Sequence, residues 1–470
     1  MSTMDKKTMA NPKRKTLQNL KNGIFWSSKA ISASVTNTLF VSYISFYATD
    51  VLGMPLTMIA TVLLITKLFD GVTDLIAGFI VDNTHTRFGK ARPYDWCIPF
   101  IALFTILTFS APKAAPLVQA IYVGVMYVLT QAVFNTLLGA SDNVYMLRAF
   151  PEDTERNNVF GISSVFSQIV SLAMGVMIPK WVSAAGIIQS EWTKMVIFVT
   201  VPIAAIGMIR FFTIKEVVVD EPAVNAEGKK EKKQGVTLKD GFKAIIENKY
   251  ILILTFSIFT IVIASGFLNT AAAYYFTYFV GDIGKMSVIS IASFASLIML
   301  VIFVPLANRF GKGKVMKAAL VIAFAGCLLR WIGGTSMVTM GVGLGLMMFG
   351  IMPVSVYFPL FLFDIIDYGE WKTGKRVEGV LAVFPHFANK VAAGLSVSLG
   401  GFVMGAAGYV GGQKTQPESV MRAINLSFNA IPTILIAIMT AILIFFYNVD
   451  KLMPQVKSDL ERRRASQQEL

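Results

Sequence analysis

Asp70 and Asp74 stand four residues apart in Ile65-Thr-Lys-Leu-Phe-Asp-Gly-Val-Thr-Asp-Leu75. On a helix, that spacing puts both carboxylates on one face. Lys67, three residues before Asp70, joins them. Two carboxylates so placed can offer hard oxygen ligands to Na⁺ or Li⁺, or share a proton. Thr73 can add an oxygen from the flank. The same residues also suit a helix–helix salt bridge that only fixes packing, although Lys67 can neutralise just one of the two acids.

Other polar residues interrupt apolar runs in the same way. Lys390 follows His386 by four residues on one face. It either reaches water along its own stem or faces an internal cavity, where it pairs with the acids of the second span until a cation arrives. His386 is a polar contact there or a hydrogen-bonded structural group. Gln131, Asn135 and Asp142 make one polar stripe, with Thr136 beside it. Ser164, Ser167, Gln168 and Ser171 make another, and Lys29, Ser34 and Asn37 a third. Such stripes suit a solute with many hydroxyls and little charge, such as a sugar. They also hold membrane helices together. Trp26, Tyr43, Tyr274, Tyr275 and Tyr357 are available to stack on sugar rings or to pack at the membrane interface.

The elements that carry these residues follow from composition. The 470 residues are 55% hydrophobic and 15% charged, whereas soluble domains carry roughly 25% charged residues. So much apolar surface calls for lipid as solvent. A spanning helix needs ~20 mostly apolar residues, and about twelve runs meet that need. They lie near 24–49, 56–81, 96–112, 116–147, 159–184, 194–214, 250–280, 284–307, 317–334, 337–366, 379–408 and 422–448. The expected fold is therefore all-α and polytopic, with 12 transmembrane helices in two six-helix bundles.

The net charge of +14 is concentrated in alternate connectors. One set holds Arg87, Lys90 and Arg92, then Arg148 and Arg156, then Lys229, Lys230, Lys232 and Lys233. It continues with Arg309, Lys312 and Lys314, then Lys372, Lys375 and Arg376. The other set holds little beyond Lys113, Lys194 and Lys414. By the positive-inside rule the first set and both termini are cytoplasmic. The reading is an N-terminal tail at 1–22, one bundle over 23–214, a middle loop at 215–249, a second bundle over 250–449 and a tail at 450–470. The apolar positions Leu238, Phe242, Ile245 and Ile246 allow a membrane-surface helix in the middle loop, which otherwise reads as a solvated linker. Arg87-Phe-Gly-Lys90 recurs as Arg309-Phe-Gly-Lys312, after the second and eighth spans. Matched positions in two halves point to an internal repeat.

Several classes are excluded. No nucleotide-binding loop, dinucleotide glycine motif or Cys/His metal cluster occurs, so neither an enzyme nor ATP-driven transport is expected. The basic charge belongs to membrane topology, not to nucleic acid. The apolar stretch after residue 23 is too long for a cleaved signal. Cys97 and Cys327 sit in apolar runs as small buried hydrophobes.

Phe46-Tyr-Ala-Thr-Asp-Val51, Phe69-Asp-Gly-Val-Thr-Asp74 and Arg87-Phe-Gly-Lys-Ala-Arg-Pro93 resemble motifs of one family. So, most specifically, does Asp364-Ile-Ile-Asp-Tyr-Gly-Glu-Trp-Lys-Thr-Gly-Lys-Arg-Val-Glu-Gly379. Over most of its length the chain resembles the glycoside–pentoside–hexuronide cation symporters, the melibiose-permease branch of the major facilitator superfamily. The resemblance implies two six-helix bundles that rock about a central cavity. It implies Asp70, Asp74, Thr73 and Thr136 as the cation site, and Lys390 as an important eleventh-span residue, with Lys67 beside the acids. The sugar clamp of that branch differs here. Ser34 and Ser164 fall where it has an Asp and an Arg, Gly139 where it has a second Asp, and Asn143 where it has a Trp. Lys29 and Asp142 lie close enough to supply a replacement pair.

The expectation is thus a multi-pass transporter of the plasma (inner) membrane that couples Na⁺, Li⁺ or H⁺ to uptake of a sugar or glycoside, with no cofactor. A monomer is consistent with the sequence. The alternatives are a carrier of an amphiphilic or lipid-like solute and a non-transporting sensor descended from a carrier.

Overall fold

The computed structural model describes residues 12–84, 86–217, 245–374 and 378–468. Among them the regular structure is helical, and Thr86 and Gly89 form an isolated bridge. Helices satisfy their own backbone groups, which lipid cannot do. In chain order they are α1 (12–51), α2 (Leu56–Asp82), α3 (Cys97–Thr108), α4 (Pro116–Ala149), α5 (Asp153–Ala185), α6 (Gln189–Thr213), α7 (Lys249–Val280) and α8 (Ser287–Phe310). Then come α9 (Lys312–Ile332), α10 (337–373), α11 (Glu378–Ala406), α12 (Glu418–Phe446) and α13 (Val449–Gln468).

Among the described residues nine helices, α4 to α12, are long and apolar enough to cross a membrane by composition alone. The other three of the twelve fall short for identifiable reasons. α1 is rich in hydroxyl side chains, the regular part of α3 is 12 residues long, and several residues of α2 past Lys67 have side chains outside the described set.

Some helix ends differ from the hydropathy reading. α1 starts at Pro12, well before the apolar run, so residues 12–22 are helical rather than a free tail. Ion pairing of Lys15 with Glu152 at 3.0 Å and the Asn22 amide on Glu155 at 3.4 Å hold this extension against α5. α10 breaks at Tyr357 after Pro353, then continues from Phe358 to Thr373. The motif that begins at Asp364 is therefore largely helical at its start. Tyr250 meets Tyr368 edge-on at 4.8 Å, and the Trp371 indole donates to Asp459 of α13 at 2.9 Å. The possible surface helix at 238–247 lies mostly outside the described residues, as do the charge run at 229–233 and Lys375 and Arg376.

The chain divides into two compact units, Met1–Gly228 with Tyr409–Lys414, and Lys229–Gly408 with Thr415–Leu470. In the first, α1 packs along α5 and α6, α2 against α4, and α3 against α4 and α6. In the second, α10 packs on α8 and α9, and α7 on α11 and α12. The repeated tetrapeptide lies in a turn in the first unit and at the junction of α8 and α9 in the second, with a positive-φ glycine in each. Gly89 has φ +118° and Gly311 φ +92°, values that side chains disfavour. The guanidinium of Arg87 lies 4.7 Å over Phe88, and that of Arg309 lies 5.1 Å over Phe310.

Several helices contain π-helical turns, including Val128–Asn135 of α4 and Leu426–Ala430 of α12. A π turn leaves backbone groups without their usual partners and often accompanies a functional site.

Candidate functional site

The polar interior of the first unit is built on α2 and α4. The Asp70 carboxylate is held from two sides. Lys67 Nζ donates to Oδ2 at 3.2 Å from one turn earlier. Thr136 Oγ1, from α4, lies 3.2 Å from Oδ1. The Lys67 ammonium also sits 5.8 Å from the Tyr127 ring centre. Asp70 is half-buried, with 30% of its side chain exposed, so one ion pair remains open to a small solute.

The π turn places the Gln131 carbonyl 3.2 Å from the Thr136 hydroxyl. Asn135 donates to Gln131 Oε1 at 3.4 Å, and the buried Gln131 Nε2 has no partner. A buried amide donor without a partner can take a hydrogen bond to a polar solute or water. Thr73 does not turn to the carboxylate. Its hydroxyl donates to the Phe69 and Asp70 carbonyls of its own helix at 3.2 and 3.1 Å, the usual alternative for a helical threonine. The side chain of Asp74 lies outside the described residues.

Lys29 and Asp142 do meet. Nζ lies 2.5 Å from Oδ2 across α1 and α4. Asp142 is shared, since its Oδ1 accepts from Arg210 Nη1 at 2.7 Å. Arg210 in turn pairs with Asp95, donating from Nε at 3.1 Å and also from Nη2. Arg210 and Asp95 are wholly buried. The guanidinium lies between Trp26 and Tyr145, 4.7 and 4.9 Å from their ring centres. Asp95, Arg210 and Asp142 sum to one negative charge, and Lys29 brings the group to neutrality. Of the four, Asp142 and Lys29 are the partly exposed members, at 31% and 13%.

Ser34 and Ser164 are not brought together. Ser34 shares a hydrogen bond of 2.9 Å with Ser171, while Ser164 is exposed and donates to the Phe160 carbonyl of its own helix. In the second unit, Lys390 and His386 are both exposed. His386, with Asn389, Ser355 and Pro385, lines a cavity of about 290 Å³ and lies edge-on to Phe358 at 6.4 Å.

Three groups escaped the sequence reading. Arg210 and Asp95 belong to separate stretches of the sequence, so nothing in either stretch marks their pairing. Glu216 was also unmarked. Its carboxylate accepts the backbone N–H groups of Lys90, Ala91 and Arg92 at 2.9, 2.7 and 2.6 Å, and the Arg148 guanidinium at 2.7 Å. Burial raises its pKa, but these four donors outweigh burial and hold the carboxyl below its ordinary range.

A family model described as MFS/sugar transport protein matches residues 26–451. The chain is 26% identical over 467 residues to the isoprimeverose transporter of Lactiplantibacillus pentosus, covering 96% of this chain and 94% of that protein. It is 23% identical over 444 residues to a putative glycoside/cation symporter of Escherichia coli (strain K12), covering 92% of each. Its fold matches the inward-facing, unoccupied crystal structure of a bacterial homologue of the human lysosomal transporter Spinster. The TM-score is 0.60 at 12% identity, over 95% of this chain and 99% of that one.

Proposed function

The chain belongs to the MFS/sugar transport protein family, and on that premise we propose that it takes up a sugar or glycoside by symport with Na⁺, Li⁺ or H⁺. The observation that carries this reading is the half-buried Asp70 carboxylate, held by Lys67 of its own helix and by the Thr136 hydroxyl of α4. A carboxylate with one cationic partner and hydroxyl and carbonyl oxygens close by is a natural seat for a small cation.

Asp74, one turn further along α2, is assigned to the same site, with Thr73 at its flank. A cation at Asp70 displaces Lys67 from sole charge of the carboxylate and orders the polar stripe of Gln131 and Asn135. Substrate then binds more tightly, and by linkage it tightens cation binding by the same factor. Lys29 and Asp142 serve as the polar pair that meets sugar hydroxyls, with Ser34 nearby. Ser164 and His386 are secondary candidates for substrate contact, and Lys390 is the coupling candidate of the second bundle. In this reading the protein is a carrier, not a catalyst. Residues 23–214 and 250–449 form its bundles, and both termini lie on the cytoplasmic side of the plasma membrane.

The test is uptake of a panel of glycosides into proteoliposomes under Na⁺, Li⁺ and proton gradients applied in turn. One sugar class should accumulate under one gradient, and Asp70→Cys should abolish accumulation while leaving some exchange. Full accumulation by Asp70→Cys would remove Asp70 from the coupling site. Absence of sugar flux in folded protein under every gradient would redirect the reading to a lipid-like cargo or a non-transporting descendant.

A further inference from the structure

Arg330 lies in the last turn of α9 with 1% of its surface exposed. Nη2 donates to the Phe428 carbonyl at 2.8 Å, and the guanidinium sits 4.9 Å over the Phe428 ring. Nε and Nη1 have no hydrogen-bond partner. Among the described residues no carboxylate pairs with it. The titratable groups that act on it are Cys327 and Tyr275, and both are neutral at neutral pH.

Arg210 shows how this chain otherwise treats a buried guanidinium. It is equally buried, also lies over aromatic rings, and is answered by Asp95 and Asp142. Arg330 has the aromatic face and one carbonyl but no negative charge. A guanidinium does not lose its proton in a protein. An unpaired charge in a low-dielectric interior is strongly unfavourable, and an aromatic face together with a carbonyl dipole compensates only part of that cost.

The neighbouring strip of α12 has orphans of its own. Leu426–Ala430 forms a π turn, and the Ser427 hydroxyl, fully buried and next to Phe428 in the chain, has no partner. The Asn429 side-chain oxygen is likewise unpartnered. Tyr275 stacks on Phe428 at 4.3 Å and closes one side of the region. Arg330, Ser427, Phe428 and Asn429 are all buried. A water molecule can accept from the free N–H groups, but it leaves the charge unanswered.

We propose that Arg330 holds a small monovalent anion, chloride under ordinary conditions, inside the second unit, with Nε, Nη1 and the Ser427 hydroxyl as its donors. The site is separate from the cation and substrate residues, which lie on other helices. Its role is to neutralise the guanidinium and hold α9 against the π turn of α12. Folded protein should therefore be more stable in chloride, by the ordinary linkage between a bound ligand and the native state.

The experiment uses the full chain purified in detergent, with radioactive chloride as the probe. Wild-type protein should bind chloride saturably, one ion per chain, with bromide competing. Its melting temperature should rise by several degrees when chloride replaces gluconate at equal ionic strength. Arg330→Met should lose both effects. Should that variant fail to fold, Ser427→Ala decides the location, with an expected several-fold loss of chloride affinity. No saturable chloride binding by the wild type, with equal melting in both salts, would overturn the proposal and leave water as the occupant. Undiminished binding in Arg330→Met, or in Ser427→Ala where the first variant is lost, would overturn the assignment to this place.

Discussion

Thr136 Oγ1 on α4 lies 3.2 Å from Asp70 Oδ1 on α2, and Lys67 holds the other carboxylate oxygen at the same distance. The hydroxyl is thus poised between a carboxylate and the Gln131 carbonyl exposed by the π turn. If it ligates the coupling cation, Thr136→Ala should raise the cation concentration for half-maximal uptake about tenfold, equivalent to ~1.4 kcal/mol for a lost contact to a charged group. Thr136→Ser should stay near wild type. Cation activation curves in proteoliposomes make the comparison, and identical curves for the alanine variant would remove the hydroxyl from the site.

Lys29 and Asp142 are the partly exposed pair of a four-membered charge group. Lys29→Ala leaves Asp142 bound to Arg210, so the fold should tolerate it while substrate affinity falls about tenfold, ~1.4 kcal/mol. Asp142→Ala should weaken substrate binding in the same direction. Equilibrium binding of the transported sugar measures both. If each variant binds sugar as the wild type does, the pair is a packing contact.

Arg210 should matter for stability rather than for substrate specificity. Arg210→Met strands Asp95, which is fully buried. Breaking a buried ion pair in this way costs about 3–5 kcal/mol. The double variant Arg210→Met, Asp95→Leu removes the stranded charge and should recover part of the loss. Thermal unfolding in detergent tests this, with equal melting of the single and double variants as the contrary result.

Glu216 gives an acid-dependent anchor. Its carboxyl is held below the ordinary range in the folded protein by the N–H groups of Arg92, Lys90 and Ala91 and by Arg148. A lowered folded-state pKa means that the stabilisation is fully present above the unfolded value. It is then lost as pH falls through the folded value. Glu216→Gln should lower stability by about 1–3 kcal/mol at neutral pH and flatten the acid side of the stability profile. Gly89→Ala should act on the same anchor, because a Cβ at that φ of +118° would lie 2.5 Å from the Glu216 carboxyl carbon. Melting temperatures across acid pH report both variants.

The bulk of the fold was legible in the sequence because lipid imposes a one-dimensional rule. Each span must be a long apolar helix, so hydropathy locates it whatever it packs against. That rule placed α4 to α12 closely. It also counted α1, α2 and α3, and exposed apolar side chains such as Ile76 and Phe79 of α2 and Phe100 and Leu103 of α3 agree with that count. The helical extension of α1 to Pro12 and of α10 to Thr373 escaped it, because contacts to α5, α7 and α13 stabilise those polar turns.

Part of the site was legible too. Charge inside an apolar run singled out Lys67, Asp70 and Lys29, and helical spacing put Gln131 and Asn135 on one stripe. Spacing along one helix says nothing of which helix stands opposite, so it could not distinguish Thr136, which reaches Asp70, from Thr73, which bonds its own backbone. The pairing of Lys29 with Asp142 was legible only as a nearness along two separate runs, and their tie to Arg210 and Asp95 was not. The sequence alone determined that the chain is a polytopic helical membrane protein with ionisable residues inside its spans, because the transfer of each residue between water and lipid is a local property. Only the tertiary structure decided which of those charges answer one another and which, like Arg330, are left unanswered, because ion pairing depends on distances between helices far apart in the chain.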